Sequence, residues 1–156
     1  MVRTVAAVVM GYVTVVALSI ASAGLSWAIF GAEGAFAPGS TVASMGWAVS
    51  SCVFGFVAAV VAGAVAAAIG EHPTNLPVKV LAGFMLVFGL LLAFFTMGVE
   101  PPPLPEGKSI GELTFVEAGQ VASNPVWYLF AIPIIGFIGV FVGGMRGGGA
   151  SPGRHR

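Results

Sequence analysis

Charge is scarce in this sequence and missing where it would matter most. Only 8% of its 156 residues are charged, and none stands within four long apolar runs at 4–32, 42–70, 80–99 and 124–145. A secondary transporter or proton relay places ionisable groups inside its spans, paired or facing a cavity; these runs offer none. A small multidrug exporter needs a glutamate in its first membrane helix, and 4–32 has none. Cysteine is nearly absent too. Cys52 stands alone, which excludes an intramolecular disulfide, a multi-thiolate metal site and the cysteine pairs of thiol-oxidising four-helix enzymes. The two histidines, His72 and His155, lie outside the runs, so paired haem ligation inside a membrane is excluded as well.

What remains is apolar: 58% of the residues are hydrophobic. A helix rises about 1.5 Å per residue, so roughly 20 apolar residues cross a hydrocarbon core of about 30 Å. The expected fold is all-α, a four-helix transmembrane bundle with spans at about 4–32, 42–70, 77–99 and 124–145 in one membrane domain, 1–146. With the N-terminus in the cytoplasm, Arg3, Lys79, Arg146, Arg154 and Arg156 lie inside and only Lys108 outside. That five-to-one ratio obeys the positive-inside rule, so both termini are expected in the cytoplasm, across a bacterial inner membrane. A rival reading is a cleaved signal peptide, with Arg3 opening it and Ala21-Ser22-Ala23 as the cleavage site. Against it, the apolar run continues through Leu25, Trp27, Ile29 and Phe30, long enough to span.

The connections carry turn and cap signals. Pro38-Gly39 marks a turn, and Ser40 or Thr41 is placed to cap the second helix. Gly70 is expected to end that helix, Glu71-His72-Pro73 to turn the chain, and Thr74 or Asn75 to cap the third, with Pro77 in its first turn. The outer segment 100–123 opens with four prolines in an extended form. After them, Ser109 and Glu112 have capping-box spacing, and Leu113, Val116 and Val121 suggest a short interfacial helix. Trp27, Trp47, Trp127 and Tyr128 suit the outer interface. Pro133 is expected to kink the fourth span or free a carbonyl. The glycine-rich basic segment 147–156 reads as a flexible tail.

Small residues form the clearest pattern. Ser51, Gly55, Ala59, Gly63 and Ala67 recur every four residues in the second run, beside a second row of Ala58, Ala62, Ala66 and Gly70. Such rows let helix backbones approach closely where no hydrophobic effect drives association. Gly136, Gly139 and Gly143 add to them from the fourth run, and Ala7 and Gly11 from the first. The second helix is therefore expected at the centre. The third, rich in Leu81, Phe84, Leu86, Phe88, Leu90, Leu91, Phe94 and Phe95, is expected to face lipid.

The segment Gly31-Ala32-Glu33-Gly34-Ala35-Phe36-Ala37-Pro38-Gly39-Ser40 resembles the first loop of small four-span bacterial membrane proteins of no assigned activity. The resemblance implies the same architecture and carries over no site residue. Two functions are consistent with the residues. The first is a non-enzymatic accessory or scaffold subunit, acting by helix association with a membrane partner or with itself. The alternative is a small oligomeric channel or carrier for a neutral or weakly polar solute, its path lined by Ser19, Ser22 and Ser26 with Ser44, Ser50 and Ser51. A membrane enzyme using Glu71 and His72 has the least support, since no third ligand or nucleophile accompanies them. The expected surroundings are the lipid bilayer, with no cofactor, metal or nucleic acid.

Overall fold

A computed structural model of the chain describes residues 2–70 and 75–147. These fold into five α-helices and one 3₁₀ turn, with no strand among the described residues. The helices are α1 (Val2–Ala35), α2 (Met45–Gly70), α3 (Leu76–Thr96), α4 (Phe115–Val121) and α5 (Val126–Gly147). Four of them, all but α4, are long and apolar enough to cross a membrane, which marks an integral membrane protein. One end of the bundle carries the α1–α2 connection and the 97–125 segment, and is called the cap end here. The other carries the α2–α3 connection.

α1 runs past the apolar stretch and breaks at Gly31, whose φ of 62° is left-handed. A side chain resists that conformation and glycine does not. The next four residues make one further helical turn before Pro38 and Gly39, the latter also left-handed at φ 71°. The cap of α2 differs from expectation. Neither Ser40 nor Thr41 caps it, because three more extended residues precede the helix. Ser44 does so instead: its Oγ accepts from the Trp47 amide at 3.1 Å and donates to the Gly34 carbonyl at 2.6 Å. One hydroxyl therefore ties the end of α1 to the start of α2. At the start of α3, Asn75 holds the cap position with left-handed backbone and makes no side-chain cap, while Pro77 sits in the first turn.

α2 is the packing centre, with α1 on one side and α5 on the other, and α3 leans mainly on α5. The reason is the loss of side chains along α2 and its partners. A Cβ added at Gly63 would strike the Val140 carbonyl of α5, and one at Gly143 would strike the Val60 carbonyl of α2. Gly139 faces Ala59 in the same seam. The backbones thus approach until dispersion contacts form along both. On the other side of α2, Gly11 of α1 lies over Ala62 and Ala66.

The third span departs from its expected lipid-facing role at Pro77, Val78, Leu81, Ala82 and Ala93, which are buried. Phe94 and Phe95 are 70% and 76% exposed, but Leu81 is fully buried. It fills the space left by Gly11 and anchors an inner core with Ala66, Val78, Ala82 and Val140. Composition cannot separate Leu81 from its exposed neighbours, because only the register of α3 against α1 does so. Pro133 of α5 is buried against Gly89 of α3, where an added Cβ would lie 2.6 Å from its ring.

Candidate functional site

The cap end carries a second hydrophobic core of Ala35, Phe36, Leu113, Ala118 and Val121. α4 supplies part of it, and seven residues are too few to hold a helix by backbone bonds alone. Its start is fixed by side chains. The amide and hydroxyl of Thr114 both donate to the Glu117 carboxylate, each at 2.9 Å, and Lys108 donates to the same carboxylate at 2.5 Å. Led by the Lys108 hydrogen bond and followed by those from Thr114, these contacts lower the Glu117 pKa from 4.5 to about 2. Ser109 and Glu112 repeat the arrangement around the 3₁₀ turn Ile110–Glu112, at 2.8 and 2.9 Å, and the Ser109 amide is the main cause of the lowered Glu112 pKa. Thr114 and Glu117 have the same spacing as Ser109 and Glu112, so this second capping box was open to sequence reading.

Two backbone hydrogen bonds fasten this cap to the rest. The Ala43 amide donates to the Ser123 carbonyl and the Ser123 amide to the Thr41 carbonyl, both at 2.9 Å. The α1–α2 connection is therefore bound to the residues just before α5.

Between the cap and the inner core lies a cavity of about 470 Å³. Its polar lining is hydroxyl and amide: Ser19, Ser22 and Ser26 from α1, Ser51 from α2, Tyr128 from α5, and Asn124 just ahead of α5. Ser19, Ser22 and Ser26 stand three and four residues apart, hence on one helix face. The Tyr128 hydroxyl is within hydrogen-bonding reach of Ser51. Trp27, Trp47, Phe54 and Phe115 supply aromatic surface, with Trp27 edge-on to both Trp47 and Phe115 at centroid distances of 6.3 and 5.7 Å. Among the described residues, no charged side chain lines it.

The six serines expected to line a polar path part company. Ser19, Ser22, Ser26 and Ser51 come together, whereas Ser44 serves as a cap and Ser50 donates to the Trp47 carbonyl of its own helix. The row on α2 also divides. Ser51 and Gly55 line the cavity, Ala59 and Gly63 meet α5, and Ala67 packs on the inner core. Tyr128 and Asn124 were missed as lining groups, since an interface assignment said nothing about which way they face. Glu71 and His72 lie outside the described residues.

Among the described residues, no group of three or more metal-binding side chains is present. Comparison with protein-family models, with curated proteins and with solved structures finds no match.

Proposed function

We propose that this protein binds a neutral, weakly polar molecule in the cavity under its cap, as a carrier or receptor rather than an enzyme. The observation that carries the reading is the charge-free, hydroxyl- and aromatic-lined cavity of about 470 Å³. Its volume falls within the roughly 300–1,000 Å³ of small-molecule sites, and a few convergent polar groups on apolar walls are their usual lining. An ionised ligand would find no counter-charge there, and burying it unpaired would cost too much. Among the described residues, no histidine, carboxylate or lysine lines the cavity beside the hydroxyls to activate a nucleophile, which favours binding over catalysis.

The orientation follows from charge. Arg3, Lys79 and Arg146 at the end opposite the cap, with Arg154 and Arg156 following in the sequence, against Lys108 at the cap, support a reading with both termini in the cytoplasm and the cavity in the outer half of a bacterial inner membrane. Scaffolding through the α2 rows has less support, because Ala59 and Gly63 are already occupied by α5, and Ala62 and Ala66 by α1. A scaffold would need another surface.

Native mass spectrometry of the gently extracted protein tests the proposal. The wild type should release an uncharged small molecule, and Ala23→Phe, which fills the cavity, should not. A wild type that carries no small molecule but a stoichiometric protein partner would instead establish the scaffold reading.

A further inference from the structure

The walls of the cavity are unequal, and their inequality says where a ligand comes from. Toward the cap it is covered in part, for Phe115, Gly119 and Asn124, which line it there, are themselves exposed. Phe36, Leu113, Ala118 and Val121 are buried above it, and the Thr41–Ser123–Ala43 hydrogen bonds lace the roof together. Toward the other end, Leu81 fills the space beside Gly11, and Val140 and Ala66 complete a closed inner core. The side walls are α1, α2 and α5. α1 and α5 each pack along α2 with no Cα pair between them within 8 Å, and α3 contributes no lining residue. A lateral gap between α1 and α5 is therefore available as an entrance, beside the exposed rim at the cap.

The serines on α1 grade the enclosure. Ser26, under the roof, is 1% exposed, while Ser19, seven residues further along, is exposed. Ser19 stands eleven residues from Phe30, about 16 Å along the helix axis. In a core about 30 Å thick that is close to the bilayer midplane. A hydroxyl exposed at that depth is unusual on a lipid-facing surface, where polar groups turn toward a partner or a cavity.

Resting on the proposed binding role, we infer that the cavity takes its ligand sideways from the membrane, and that the ligand is an uncharged amphiphile. Its hydroxyl- or carbonyl-bearing head sits among Ser22, Ser26, Ser51 and Tyr128, flanked by Trp27 and Trp47. Its apolar chain leaves past Ser19 into the acyl region. A monoacylglycerol has this chemistry.

The test uses the full chain in phosphatidylcholine nanodiscs with Trp127→Phe, so that emission comes from Trp27 and Trp47. The probe is a monoacylglycerol with a dibrominated chain, and the comparator a phosphatidylcholine with the same chain. A preformed site concentrates its ligand, so quenching by the monoacylglycerol should saturate and exceed the comparator's by about twofold or more at equal mole fraction. Ala23→Phe should abolish the saturable part. So should Ser19→Leu at the exposed rim, where folding does not depend on the side chain. Equal, linear quenching by both lipids, together with ready quenching by aqueous acrylamide that Ala23→Phe blocks, would overturn lateral entry and leave a water-borne neutral ligand. Linear lipid quenching with no acrylamide access would overturn both the entry route and the binding role.

Discussion

A methyl group at Gly63 would fall on the Val140 carbonyl, and one at Gly143 on the Val60 carbonyl. Backbone cannot swing aside as a side chain does, so α2 and α5 would have to separate. Gly63→Ala is expected to destabilise the protein by roughly 1–3 kcal/mol, the usual range for overpacking. Gly24→Ala, with nothing within 4 Å of the added carbon, should leave stability unreduced. Unfolding in detergent with increasing denaturant measures both. Because the clash is inside the chain, Gly63→Ala should change folding before any change in assembly. Glu117 makes a second prediction at this scale. Its folded pKa of about 2 lies below the ordinary 4.5, so its contribution is present above pH 4.5 and is lost as pH falls toward 2. Amide-exchange protection at Glu117 and Ala118, corrected for the intrinsic pH dependence of exchange, should fall over that window, and Glu117→Gln should remove that change in protection. Ser44 shows what a residue-level reading can miss. A serine is an obvious cap, but which of Ser40, Thr41 and Ser44 acts depends on where the preceding chain is tethered, here by the Phe36–Ala43 bridge and the Ala37–Val42 hydrogen bond.

At the scale of elements, α4 is the most conditional part of the fold. Its seven residues persist because Thr114 caps them and because Ala118 and Val121 are buried in the outer core. Thr114→Ala should cost that element about 0.5–2 kcal/mol, the usual effect of losing an N-cap. Trp27 emission should report it through the Phe115 ring, while the four long helices remain intact by circular dichroism. Those helices were legible because a continuous apolar run of sufficient length has few alternatives: in lipid every backbone polar group must bond internally. Their ends were less so. α1 continues to Ala35 because Gly31 breaks the helix without ending it, and α2 begins at Met45 rather than near 42. Pro133 gives the same lesson inside a helix. Its place inside α5 was readable from the run, but its seat against Gly89 depends on how α3 lies over α5.

For the whole molecule, orientation is the first thing to measure. In a Cys52→Ser background, a cysteine introduced as Gly107→Cys should react with a membrane-impermeant maleimide on intact cells, and one introduced as Ser151→Cys only after permeabilisation. The reverse pattern would place the cavity on the cytoplasmic side. The sequence by itself determined that the chain has four apolar helices, that its charges lie outside their apolar runs, and that α2 presents surfaces of small residues. These are local properties: run length, charge position and four-residue spacing along one helix. Only the tertiary structure decided that the rows are spent on α5 and α1, that Leu81 turns inward, and that Ser19, Ser22, Ser26, Ser51 and Tyr128 meet around one cavity. Those outcomes depend on the rotation and crossing of each helix against its neighbours. Side chains brought together by that docking, from segments as far apart as Ser19 and Tyr128, leave no spacing in the sequence to read.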